Sequence, residues 1–151
     1  MSPDSPKAEH NVQRFFTWAV PLLWGVALVL PAYSNGTRGF TCLTMGWGAL
    51  IMGNLKAFLA WLANVPFFLA YRRYVWQKGS LKVTIVIALI AVFLSLTGLL
   101  LNDLEENEGG SLHRVTPSYG ALLWFGSMVI LMFGCIYRYS QEQQKQHPEE
   151  S

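Results

Sequence analysis

The chain has 151 residues, of which 52% are hydrophobic and only 13% charged, against roughly 25% charged in ordinary soluble domains. A mean hydropathy of +0.30 with 14% aromatic residues excludes disorder as the main state. A net charge of +2 is too small to argue for nucleic acid, and two cysteines cannot build a disulfide framework. What remains is a small integral membrane protein.

Residues 1–14 are polar and read as an N-terminal tail. Residues 15–33 contain no Asp, Glu, Lys, Arg or His. A bilayer core of ~30 Å needs about 20 apolar residues at 1.5 Å rise, so this run is the first predicted spanning helix; lipid offers the backbone no partner, which excludes open strands. A cleaved signal peptide is the competing reading, because Ala32-Tyr33-Ser34 has small residues where a signal peptidase reads. Against it, the run exceeds the usual core of about 7–15 residues and holds Trp18, Pro21 and Trp24. Residues 40–76 are too long for one span and too short for two. Counting about 20 residues back from Arg72-Arg73 places the second span at 52–71. That leaves 40–51, with Gly46, Trp47 and Gly48, as a short interfacial or re-entrant segment. One long tilted helix over 43–71 is the alternative. Residues 83–101 and 119–137 are again free of charge, and the third and fourth spans are placed at 83–101 and 119–139. The polar stretch 140–151 reads as a disordered tail. The expected fold is all-α, a four-helix transmembrane bundle with a short interfacial or re-entrant segment before its second span.

Orientation follows from the basic residues. Lys7, Arg14, Arg72, Arg73, Lys78, Lys82, Arg138 and Lys145 fall on one side of this topology, and Arg38 and Arg114 on the other. The bias puts both termini and the 72–82 turn in the cytoplasm. Trp18, Tyr33, Tyr71, Tyr74, Trp76, Tyr119, Tyr137 and Tyr139 lie near span ends, as interface anchors do.

Polar groups concentrate in the second span, which carries Asn54, Lys56 and Asn64, with Pro66 two residues later. At 100° per residue Gly53, Lys56, Ala60, Ala63 and Asn64 share one face, with Phe58, Trp61, Leu62 and Val65 on the other. Small residues let a neighbouring helix approach, and polar groups avoid lipid by facing it. Pro66 frees the carbonyl of Leu62, which a side-chain amide can satisfy. Asn64 is therefore expected as a helix–helix bolt or as a repair of the proline defect, with a substrate ligand as the sharper alternative. Lys56 has no intramembrane carboxylate to pair with. It is expected to reach outward to Asp103, Glu105, Glu106 and Glu108 in the 102–118 loop, or simply to snorkel.

That acidic loop does not match an EF-hand, since Glu108 stands where Gly is needed and Arg114 where Glu is needed. His113 has no helical partner for zinc, so no metal and no cofactor are expected. Asn35-Gly36-Thr37 is a glycosylation sequon, a common three-residue match. Cys42 and Cys135 fall at opposite ends of the bundle and are expected as free thiols. Gly120, Ser127 and Gly134 form a thin small-residue stripe on the fourth span, suited to the second span or to a second copy of the chain.

Gly46-Trp47, Trp61-Leu62-Ala63-Asn64-Val65-Pro66, Glu108-Gly109-Gly110 and Tyr119-Gly120-Ala121-Leu122-Leu123-Trp124 together resemble a family of small bacterial four-span membrane proteins, over residues 40–134. In that family the Asn and Pro tend to be adjacent, whereas Val65 separates them here. The resemblance implies a bacterial inner-membrane setting and the same topology, and transfers no catalytic or binding residue. There is no intramembrane Asp, Glu or His, no serine with a base at workable spacing and no phosphate loop. The expected function is a non-enzymatic membrane interaction protein, an accessory subunit or a toxin-immunity protein. Its expected partners are the lipid bilayer, another membrane protein or a second copy of itself, and not nucleic acid. A small oligomeric channel or carrier is the alternative.

Overall fold

The computed structural model describes residues 6–77, 79–101, 103–105 and 112–146. Lys78, Glu106, Glu108, Gly109, Gly110 and the last five residues lie outside them, as do the side chains of Asp103 and Glu105. The described chain is helical apart from one short hairpin. In order it runs α1 (Pro6–Val29), α2 (Gly39–Met45), a 3-10 turn (Gly46–Leu50), α3 (Leu55–Leu62), α4 (Asn64–Trp76), α5 (Leu81–Leu99), β1 (Asp103–Glu105), β2 (Leu112–Arg114) and α6 (Tyr119–Gln146). The two strands pair antiparallel, Leu104 opposite His113.

Three helical segments, His10–Val29, Leu81–Leu99 and Tyr119–Lys145, are long and apolar enough to cross a membrane. Their outward faces agree: Trp18, Leu22, Val86 and Phe93 are all exposed, Trp18 at 70%. Apolar patches of that extent belong against lipid and not water.

Several boundaries differ from those expected. α1 is described from Pro6, so 6–14, expected as a polar tail, are already helical. It stops at Val29 because Pro31 disfavours helix in the residue before it. Ala32 and Tyr33 therefore leave the helix, and 31–34 is stitched to 116–120: Ser34 N–H donates to Thr116 O at 3.0 Å and Ser118 N–H to Ala32 O at 2.8 Å. α6 continues through Gln146, so 140–146 is helix and not the disordered tail expected. Glu, Gln and Lys are good helix formers, and Arg138 Nε pairs with Glu142 Oε1 at 3.2 Å, one turn on.

The second predicted span is two helices in series. Residues 51–54 turn the chain before α3, with Gly53 in the left-handed region at φ 78° and Asn54 Oδ1 accepting from Ala57 N–H at 3.0 Å as the helix cap. One long helix over 43–71 is thereby excluded. Gly53 is an exposed turn residue with open space where a β-carbon would stand, and it does not pack helices as expected. At Ala63 the helix breaks ahead of Pro66, and α4 resumes at Asn64.

α1 packs along α6, α6 along α5, and α5 along α3 and α4. One core is formed by Val20, Phe67, Tyr74, Met128, Leu131 and Cys135 with neighbouring alanines. The close seam lies on α5, where Thr84, Ala88, Ala91, Ser95 and Gly98 are the buried residues, at alternating spacings of four and three. The stripe on α6 is filled from within the chain by α1 and the turn that follows it: a side chain at Gly134 would meet the Phe16 ring, and one at Gly120 the carbonyls of Leu30 and Pro31. Ser127 is fully buried.

The helices are tied together through carbonyls that have lost or never had a helical partner. Pro21 cannot donate to Thr17 O, and Tyr71 Oη on α4 donates to that oxygen at 2.8 Å. Tyr33 Oη donates to Gly98 O in the last turn of α5 at 3.0 Å. Arg138 donates to Tyr74 O in the last turn of α4 at 3.2 Å. Helix ends leave such oxygens unpaired, and lipid cannot satisfy them. Tyr33 and Tyr74 are thus buried, and not the interface anchors expected. Tyr74 Oη stands outside the pattern, buried with no partner among the described residues, and its surroundings offer no account of it.

Tyr71→Phe should cost about 0.6 kcal/mol, the average for such bonds in membranes, and at most about 1.7 kcal/mol. In a Pro21→Ala background, where residue 21 again donates to Thr17 O, the same change should cost clearly less. Unfolding of the single and double variants in mixed micelles measures the coupling.

Candidate functional site

One end of the helical core is covered by α2 and the 3-10 turn, which fold back across it as a strap. Two glycines permit this. Gly39 lies so close to the Ala27 carbonyl that any side chain would collide with it, and a β-carbon at Gly46 would sit 2.7 Å from Trp61 Cδ1. Trp61 reaches up from α3 and donates through Nε1 to Leu43 O at 2.8 Å, one of the orphan carbonyls at the end of α2. Trp61 therefore faces the strap, and not the lipid side to which helical periodicity assigned it.

Beneath the strap is a cavity of about 510 Å³, within the range of about 300–1,000 Å³ usual for small-molecule sites. Ala27, Tyr33, Cys42, Ala57, Trp61 and Trp124 line it, and Asn64 lies at its wall. A smaller apolar cluster of Ala32, Tyr33, Ala60, Leu101 and Val115 supports it. Burial pushes the Cys42 thiol up to about 11, so near neutral pH it is an uncharged part of the wall.

Asn64 is the polar centre of this region, only 8% exposed. Its Oδ1 accepts from Trp124 Nε1 of α6 at 3.0 Å and from Trp24 Nε1 of α1 at 3.3 Å. Its Nδ2 donates to Trp61 O at 2.8 Å, across the helix break. Indole N–H groups only donate, which fixes the end of the amide that faces them. One side chain thus joins α1, α4 and α6 and also repairs backbone at the break, through Trp61 O and not the Leu62 O expected. Trp24 stacks on Phe67 at 6.4 Å and meets Phe68 edge-on at 4.9 Å, which holds its indole toward Asn64.

The remaining expected residues divide. Ala60 and Ala63 are buried, Ala63 in the main core and Ala60 beside Gly98. Asn54 caps α3 and lines the cavity. Lys56 is exposed on α3. The acidic groups proposed to meet it lie outside the described side chains, although the backbone of Asp103 and Glu105 forms β1 at this same end. No group of metal-ligating residues occurs among the described residues. Trp24, Trp61, Trp124, Tyr33 and Tyr71 were not singled out from sequence as donors. For Tyr71 the available signal was Pro21, whose missing N–H calls for a donor on a neighbouring helix.

No family model matches this sequence, and no curated protein or solved structure is significantly similar to it.

Asn64→Leu removes three hydrogen bonds and leaves two half-buried indole donors without their acceptor. It should destabilise the protein by about 2–4 kcal/mol, whereas Trp24→Phe, which loses the longest of the three bonds, should cost about 1 kcal/mol or less. Chemical unfolding of both variants in bicelles tests the ranking.

Proposed function

We propose that this is a non-enzymatic integral membrane protein that works by binding a partner within the membrane, in the manner of an accessory subunit or a toxin-immunity protein. In this reading α3 and α4 supply the fourth crossing up to Tyr71, and 72–76 continue the helix out on the cytoplasmic side. The bundle sits in a bacterial inner membrane with both termini and the 72–82 turn in the cytoplasm, as the distribution of Lys and Arg favours.

One observation carries the choice of binding over conduction. Away from the strap the core is close-packed, with Val20, Phe67, Tyr74, Met128, Leu131 and Cys135 each no more than 2% exposed. A solute entering under the strap meets that plug, and Asn64, the central polar side chain, already spends its hydrogen bonds on three tryptophans. What stays accessible is the strap, with its apolar surface and its cavity.

The full chain, captured from native membranes, should retain a membrane protein in fixed stoichiometry. Proteoliposomes holding it alone should pass potassium and sodium no faster than empty vesicles. Flux from the purified chain that changes with Lys56→Ala or Asn54→Ala would overturn the proposal in favour of an oligomeric channel or carrier.

A further inference from the structure

The strap has two unlike sides. Toward the core it presents Cys42, Leu43 and Gly46 to the cavity. Outward it presents Phe40, Leu50 and Ile51, all more than half exposed, while Met45, Trp47 and Met52 are as exposed and also line the cavity. No charged residue occurs in 39–55. A cover with an apolar outer side lies in lipid, so the cavity beneath it is reached from the bilayer and not from water.

The cavity wall has little need of a polar guest. Tyr33 Oη is paired with Gly98 O, Trp61 Nε1 with Leu43 O, Trp124 Nε1 with Asn64 Oδ1, and Asn54 Oδ1 with Ala57 N–H. Asn35, Thr37, Thr41 and Cys42 also line it, and the rest of the wall is alanine, glycine, leucine, methionine and indole carbon. A wall that is mostly apolar, with its central polar side chains already bonded, favours hydrocarbon.

Two cations bracket the strap. Arg38 stands between Thr37 and Gly39, and Lys56 beside Ala57, all three of those neighbours being cavity-lining residues. Arg38 and Lys56 are both exposed, and neither pairs with a carboxylate among the described residues. Neither lines the cavity itself, but each stands one residue from its wall, and exposed cations so placed match an anionic headgroup whose chain enters the cavity.

We propose that the cavity under the strap holds one acyl chain of an anionic phospholipid, taken from the leaflet on the strap side, with its phosphate at Arg38 and Lys56. The inference rests on the membrane-spanning reading of the helices and is independent of the identity of any protein partner.

The test uses the full chain in mild detergent, incubated with phosphatidylglycerol or with phosphatidylcholine of the same acyl chains, and intact mass spectrometry of the complex. One phospholipid should be retained per chain, phosphatidylglycerol at least fivefold over phosphatidylcholine. Arg38→Gln with Lys56→Gln should abolish the preference while a lipid is still retained. Ala57→Leu, which fills the cavity, should lower retention of both at least fivefold. Independently, alkylation of Cys42, located by peptide mapping, should slow at least threefold in the unaltered protein when phosphatidylglycerol is added, a readout that stands even if Ala57→Leu fails to fold. Failure to retain lipid, undiminished retention in a folded Ala57→Leu variant, or Cys42 reactivity indifferent to lipid would overturn the proposal. A headgroup preference that survives in the double variant would overturn the role of Arg38 and Lys56. Lipid retention without capture of a membrane protein sinks the partner-binding reading alone, and partner capture without lipid retention sinks this one alone.

Discussion

A carbonyl oxygen that loses its helical donor inside a bilayer has no water to turn to, and much of this structure is organised around that constraint. Pro21 strips a donor from Thr17 O, and Tyr71 supplies another from a neighbouring helix. The ends of α2, α4 and α5 leave oxygens that Trp61, Arg138 and Tyr33 take up. Each repair comes from a different element than the defect, so correcting the backbone and fixing the tertiary arrangement are one event. Helices that would otherwise associate only by van der Waals contact acquire specific partners and a specific register.

Asn64 is where these demands converge. Pro66 breaks the helix just before it, and the break brings the amide within reach of Trp61 O while its oxygen faces two indoles. The same break separates α3 from α4 and lets α3 carry Trp61 to the underside of the strap. The strap in turn exists because Gly39 and Gly46 allow backbone and indole to approach more closely than any side chain would permit. A proline, an asparagine and two glycines thus shape the cavity end of the bundle, and the asparagine also holds Trp24 and Trp124, which pack against the main core.

The sequence made some of this legible. α5 and α6 follow from uninterrupted uncharged runs, and the strap from a segment that fits neither one span nor two. Asn64 and Pro66 stand out because polar and kinking residues are rare at membrane depth. Other features were hidden for physical reasons. Helix in 140–146 depends on a local Arg138–Glu142 pair and good helix formers, which a polar composition masks. The α5 seam escaped notice because Thr84, Ala88, Ala91, Ser95 and Gly98 are interleaved with large apolar residues, whereas the more visible Gly120 and Gly134 serve α1 and the turn that follows it. Tyr33 and Tyr71 have the positions of interface anchors. Only the fold shows that their hydroxyls turn inward to backbone oxygens 65 and 54 residues away.

The central claim is that side chains from other helices replace lost backbone donors within the membrane. Infrared spectroscopy of the full chain in bilayers, with a single isotopically shifted carbonyl at Thr17, tests it most directly. The account predicts a hydrogen-bonded amide I frequency in the unaltered protein and a shift to higher frequency in Tyr71→Phe. The same frequency in both proteins would contradict it.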